Sequence, residues 1–249
     1  MIALLEWAPP ERGKRQKSVV VREEIVLHLR LFQVEILRGT RTPEAVLRRR
    51  VLAAGKRLRK LGVTQVVLPV DFRHGQVLVR CGLRPVSTLS LRRALAADWV
   101  RWALPEKGQG VAGARVAVCA GQLTGEAVRT VTELSLRHRY VLLDLPYGGE
   151  ELCRQLRREY GVSLLLGPSK EQLEGAEALV LFDPRTDLAR KNPAVLELYD
   201  ETQPLPPMSL PPAMEEALPE GADRGQLLAA LREAGVLRPG QISVGGTRA

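Results

Sequence analysis

The strongest constraint on this fold is an alternation running from Arg115 to Phe182. Nearly continuous apolar runs at Arg115–Cys119, Tyr140–Asp144, Val162–Leu166 and Ala178–Phe182 are separated by helical patterns at about Gly125–His138, Gly149–Tyr160 and Lys170–Glu174. A strand that is apolar on both sides must be covered on both sides. Strands separated by helices are joined by crossovers and run parallel. The expectation is therefore an α/β fold, with a parallel sheet flanked by helices.

The preceding hundred residues read as a separate, basic α/β lobe. Ile2–Trp7 is a short apolar stretch that Pro9 and Pro10 stop, and a basic loop from Arg12 to Lys17 follows. In Ser18–Leu37, Ile25, Leu27, Leu29 and Leu31 alternate with Val26, His28 and Arg30. Ile25, Leu29, Phe32 and Ile36 would also share one helix face, but the abundance of β-branched residues favours strands. Thr42-Pro43-Glu44 has the residues of a helix start, with Thr42 as N-cap and Pro43 at the first helical position. That helix should run to about Leu61 and stop at Gly62, burying Leu47, Val51, Ala54, Leu58 and Leu61. Val63–Val70 reads as a buried strand and a candidate to join the C-terminal sheet. Gln76–Arg80 reads as another short strand, and Thr88 to about Leu104 as one helix packing through Leu91, Leu95, Trp99 and Trp102.

The glycine-rich Pro105–Gly113 is the best internal boundary, because the charge changes sign there. Residues 1–110 hold 22 basic and 9 acidic residues, whereas residues 111–249 hold 15 basic and 19 acidic. The expected divisions are a basic N-terminal α/β lobe (1–105), a parallel-sheet lobe (113–200), a proline-rich linker (201–222), and a C-terminal helix and tail (223–249). Pro204, Pro206, Pro207, Pro211, Pro212 and Pro219 mark the linker, and Asp223 should cap the last helix, which Gly235 ends.

Composition removes several classes. Apolar residues at 45% and charged residues at 26% suit a folded chain rather than a disordered one. No uncharged apolar run approaches the ~18–20 residues needed to span a bilayer. The opening Met1–Glu6 lacks the basic start of a secretory signal, so no membrane association is expected. Cys81, Cys119 and Cys153 form no CxxC pair or disulfide framework, which suits a reducing, cytoplasmic setting. His28, His74 and His138 have no metal-ligand spacing with them, and no metal is expected. Arginine outnumbers lysine 30 to 7. This reads first as genome composition and second as anion recognition.

The candidate chemistry lies at strand ends. After the strand ending at Cys119 the chain reads Ala120-Gly121-Gln122-Leu123-Thr124-Gly125-Glu126-Ala127. A glycine turn that opens a helix presents backbone N–H groups, and the positive helix end, to a phosphate. Asp144 ends the next strand, where a carboxylate can accept from ribose hydroxyls. Residues 113–184 here resemble the Rossmann-like NAD(P)- and nucleotide-binding proteins, including the helix-into-fourth-strand step Leu173–Phe182. The resemblance implies NAD or NADP as cofactor and, if the protein is an enzyme, an NAD(P)-dependent oxidoreductase. The match is partial. In the GxGxxG pattern the glycine positions are Ala120, Gln122 and Gly125. In the GxxxGxG pattern of short-chain dehydrogenases they are Gly121, Gly125 and Ala127. No tyrosine has a lysine four residues on, so the YxxxK pair of that family is absent.

Gly167 and Ser169 follow the third strand. Ser169 with Gln172 makes a capping box, and Lys170 lies outside any Walker A context. The cofactor-binding candidates are thus Gly121, Gly125, Asp144, Gly167 and Ser169, and no catalytic residue is assigned. Asp71, Asp144, Asp183 and Asp187 all sit at strand ends, as turn formers or, less readily, as ligands for magnesium. Cys119 reads as a buried core cysteine.

Three functions stay open. One is binding of a nucleotide or other small anionic ligand at the strand ends. Another is a non-catalytic module with a degenerate Rossmann-like fold, whose proline-rich strap and last helix would dock a protein partner or a second copy. The last is nucleic-acid binding through the basic lobe.

Overall fold

A computed structural model describes residues 1–10, 16–104 and 113–245. Most of the basic loop Arg12–Lys17, nearly all of the boundary Pro105–Gly113 and the end of the tail lie outside the described residues. In chain order the elements are β1 (Ile2–Ala8), β2 (Val19–Val26), β3 (Leu29–Leu37), α1 (Glu44–Lys60), β4 (Gln65–Val67), α2 (Gly75–Arg80) and β5 (Arg84–Pro85). Then come α3 (Leu89–Ala94), α4 (Ala96–Ala103), β6 (Arg115–Cys119), α5 (Gly125–Arg137), β7 (Tyr140–Asp144), α6 (Gly149–Tyr160), β8 (Leu165–Leu166) and α7 (Lys170–Glu174). The chain ends with β9 (Ala178–Leu181), β10 (Ala194–Glu197), β11 (Met208–Ser209), α8 (Pro212–Glu215), α9 (Arg224–Glu233) and β12 (Ser243–Val244). Two compact units result: Met1–Thr88 with Leu210–Gln241, and Leu89–Ser209 with Ile242–Ala249.

The first unit is built on a sheet of order β2-β3-β1-β4-β5. β1 runs parallel to β3 and to β4, while β2 returns antiparallel to β3. The strand expected over Val63–Val70 pairs here with β1, so it does not join the C-terminal sheet. Val51, Ala54 and Leu58 of α1 are buried with Ala3, Leu5, Val34, Ile36 and Val66, and Leu47 is buried as well. Leu61, expected in that stripe, is 40% exposed because the helix has ended. The helix start also differs from expectation. Pro43 is the N-cap, and the Thr42 hydroxyl instead accepts from the Gly39 amide at 2.8 Å.

Residues 76–80, expected as a strand, are the end of helix α2. The short apolar run Val77-Leu78-Val79, with its two β-branched residues, imitates a strand, but Leu78 is the buried residue of the segment and Val79 is 50% exposed. Packing decides the conformation: a Cβ at Gly55 of α1 would lie 2.8 Å from the Cys81 sulfur, so α1 admits the end of α2 only through a glycine. Asp223 caps α9 by accepting from the Gln226 amide, and the Gln226 side chain accepts from Leu68 N. Pro69 bridges to Ala222. The proline-rich stretch is thus divided between the units, 201–209 in the second and 210–222 in the first.

The second unit carries a fully parallel sheet of order β10-β9-β6-β7-β8. Counted from its own first strand this is 5-4-1-2-3, the strand order of a Rossmann sheet. Val116 and Val118 face a core shared with α4, α5 and α6, through Trp99, Val131, Leu134, Leu152 and Leu156. Ala117 and Cys119 face the opposite core, with Leu173, Leu179 and Leu188. Burial on both faces is the physical origin of the continuous apolar runs. The single helix expected over Thr88–Leu104 is two, α3 and α4, meeting at Leu95. Trp99 is buried as expected, but Trp102 is 43% exposed. Its ring lies so close to Gly245 that a Cβ there would be 2.4 Å away.

Candidate functional site

The parallel sheet of the second unit brings its strand ends to one edge. In sheet order these are Glu197 on β10, Asp183 just after β9, Gly121 just after β6, Asp144 on β7 and Gly167 just after β8. The chain leaving β6 enters α5 on one face, and the chain leaving β9 packs Leu188 on the other. Adjacent strands whose connections part in this way leave a crevice at their carboxyl ends.

The turn after β6 is short and well fixed. Ala120 N bonds to Asp144 O at 3.0 Å, and the Thr124 hydroxyl caps α5 by accepting from Ala127 N at 3.2 Å. A Cβ at Gly125 would meet no atom within 4 Å, so neither packing nor a left-handed backbone demands glycine there. Gly167 has φ +63°, a conformation that favours glycine, and its amide bonds to Leu143 O. Ser169 is occupied at its own helix: it forms both halves of a capping box with Gln172, and its hydroxyl donates to Glu171 at 2.8 Å. Lys170 pairs with Glu174 on the same helix.

Two residues that the sequence does not single out as partners govern the electrostatics. Asp183 Oδ2 accepts from Gly121 N at 2.7 Å. Arg185, in the chain after β9, bonds both oxygens of Asp187 through Nε and Nη2 at 2.8 Å, and its Nη1 bonds to Asp144. In the order β9-β6-β7 this places a guanidinium across the end of β6. The two carboxylates push the Arg185 pKa up, and Arg185 in turn holds Asp187 down to about 2. Burial, reinforced by Asp144, pushes the Cys119 thiol up to about 12.

The edge therefore brings together Gly121, Asp144 and Gly167, and it adds Asp183, Arg185 and Asp187. Asp144 and Asp187 bond the one guanidinium and Asp183 bonds the Gly121 amide, so the edge carries more carboxylates than cations, a balance that suits hydroxyl and other neutral donors better than an unshielded phosphate. Among the described residues no group of three or more His, Cys, Asp or Glu side chains is arranged to hold a metal.

The first unit has a cluster of its own at the corresponding strand ends. Trp7 stacks on Phe72 with ring centres 5.5 Å apart, and His74 meets both rings edge-on. Asp71 accepts from the Trp7 indole at 2.7 Å and pairs with Arg38, whose guanidinium lies 4.9 Å from the Trp7 ring centre. Hydrogen bonding from Arg38 lowers the Asp71 pKa. The cluster went unseen in the sequence because Trp7 and Phe72 are 65 positions apart. The available signal was scarcity, since the chain has only three residues each of Phe, Trp and His.

The sequence matches no known family model and no curated protein sequence. Among solved structures it is similar to L-tryptophan dehydrogenase from Nostoc punctiforme, at 13% identity and TM-score 0.29 over 60% of this chain and 44% of that one. D-lactate dehydrogenase with NAD+ from Lactobacillus jensenii gives 12% identity and TM-score 0.31 over 61% and 56%. A D-lactate dehydrogenase from Treponema pallidum gives 12% identity and TM-score 0.29 over 61% and 49%. The chain thus covers about half the length of each of these proteins.

Proposed function

We propose that the second unit binds a nucleoside or nucleotide at the carboxyl ends of β6, β7 and β8, with NAD and NADP among the candidates. The observation that carries this reading is the strand order, which sets the Gly121–Gly125 turn beside Asp144 at the crevice between diverging connections. Asp144 would accept from ribose hydroxyls. The open space over Gly125 would admit the ligand, with Gly167 and Ser169 along the same edge. A phosphate reaches the Gly121 amide only by exchanging with the Asp183 carboxylate, so binding and release of Asp183 are one event. The reading assigns binding and no reaction.

The Asp183–Gly121 bond also favours a second reading, in which the edge is permanently self-capped and the unit acts through protein contacts. Thermal unfolding with millimolar NAD, NADP, ATP and GTP separates the two. Binding to the native state alone must raise the midpoint with ligand concentration. A rise with any of the four supports the first reading. A midpoint unmoved by all of them, in the wild type and in Asp183→Ala alike, leaves the second.

A further inference from the structure

We infer that α1 is a binding surface for the phosphodiester backbone of double-stranded nucleic acid. Helix α1 carries seven basic residues and a single acid, Glu44. Two of the seven serve the fold, since Arg50 donates to Leu37 O and Arg57 donates to Val19 O. The other five, Arg48, Arg49, Lys56, Arg59 and Lys60, are exposed. Among the described residues none of these five side chains takes part in an ion pair or hydrogen bond.

At ~100° per residue the five fall on one side of the helix, opposite buried Leu47, Val51, Ala54 and Leu58. From Arg48 to Lys60 the stripe is ~18 Å long, about five base-pair steps at ~3.4 Å. Like charges three and four positions apart, such as Lys56 with Arg59 and Lys60, destabilise a helix. The helix dipole offsets this for Arg59 and Lys60 in the last turn, but not for Arg48 and Arg49 in the N-terminal half. An unpaired cation row of this length is stabilised by an external polyanion, through release of the polyanion's counterions.

The chemistry of the stripe selects the partner. It contains no aromatic ring on which an unpaired base could stack, which disfavours single strands. It offers only Arg and Lys, which bond phosphates and among base edges favour guanine alone, so binding should depend little on sequence. A membrane-surface helix needs an apolar face to insert, and the apolar face of α1 is packed into the core.

The test is fluorescence anisotropy with a labelled DNA duplex, using the full chain at about 50 and about 200 mM salt. With four or five phosphates neutralised, affinity should fall roughly 10²- to 10³-fold between the two conditions. The variant R48Q/R49Q/K56Q/R59Q/K60Q should bind at least about 10-fold more weakly at low salt. Glutamine keeps helix propensity, and circular dichroism checks the fold. The milder R48Q/R49Q should lie between the two, and R158Q, on α6, should bind as the wild type does. Absent or salt-insensitive binding overturns the inference. So does equal binding by a folded five-site variant, or tighter binding to phosphatidylserine vesicles than to the duplex.

Discussion

Asp183 accepts a hydrogen bond from the backbone amide of Gly121 at 2.7 Å, across 62 positions of sequence. A carboxylate of the protein thus occupies the place where the first strand–helix turn would offer its donor to an anion. The two residues meet because β9 pairs with β6, which sets the loop after one strand beside the turn after the other.

Replacing Asp183 with alanine removes both the competing acceptor and a negative charge. Nucleotide affinity should rise roughly threefold to tenfold, a charge-assisted hydrogen bond discounted for solvent at this edge. Calorimetric titration of the four nucleotides into wild type and variant measures this. Weaker binding by a folded Asp183→Ala would mean that the carboxylate contacts the ligand instead of displacing it.

The parallel sheet was legible in the sequence because burial on both faces writes itself as apolar runs. Gly121, Asp144 and Gly167 could be placed at strand ends for the same reason. Asp183 and Arg185 could not be given partners, because strand order is not local information: nothing near Asp183 says that β9 lies beside β6 rather than at the far side of β8. The strand expected at Gln76–Arg80 failed for a related reason. Its apolar, β-branched run is local, but its conformation is set by Leu78 and Cys81 packing against α1.

Arg185 holds Asp187 down to about 2, below the ordinary carboxylate value of about 3.9. A group with a depressed native pKa contributes stability above its unfolded value, and that contribution is lost as pH falls through the native one. Wild type should therefore exceed Arg185→Met in stability by a constant margin near neutrality. This part of the margin should shrink between about pH 4 and about pH 2. Denaturant unfolding at several pH values follows the margin, and carbon-detected NMR titration follows Asp187 itself, whose pKa should return toward about 3.9 in the variant.

Cys119 is 1% exposed, and its thiol is pushed up to about 12. At pH 8 only about 10⁻⁴ of it is thiolate, so disulfide reagents find almost no nucleophile even before access is considered. Cys153, the one cysteine that is not fully buried, should react first with Ellman's reagent. Cys119 should react only as fast as the native structure opens, at a rate independent of reagent concentration. Rapid native labelling of Cys119, located by peptide mapping, would mean that its side of the sheet is open to solvent.

Arg92 is 2% exposed and binds backbone carbonyls with a charged side chain. Its Nη2 donates to Glu201 O at 3.0 Å and to Gln203 O at 2.5 Å, and the guanidinium lies 5.8 Å from the Trp99 ring centre. Those bonds tie the segment after β10 to α3. Lysine keeps the charge, but its ammonium nitrogen ends one bond short of the Nη2 position that reaches both carbonyls, and it lacks the planar guanidinium that lies beside Trp99. Arg92→Lys should lose about 1–3 kcal/mol in urea unfolding, the cost of leaving a buried acceptor without its donor. A loss within about 0.5 kcal/mol, as for a surface change, would show that water replaces the bonds.

The β2–β3 turn carries strain that substitution can relieve. Leu27 and His28 have φ of +47° and +73°, so both turn residues adopt the left-handed backbone that a two-residue hairpin requires. L-residues with a full side chain disfavour that region by roughly 1–2 kcal/mol each, whereas asparagine and glycine tolerate it. Leu27→Asn with His28→Gly should therefore stabilise the protein by about 1 kcal/mol, net of the flexibility that glycine adds to the unfolded chain. Burial bears on the choice little, since neither residue is in the core. Chemical denaturation reads the effect directly. An unchanged or lower midpoint would mean that the Leu27 or His28 side chain makes contacts worth as much as the backbone strain.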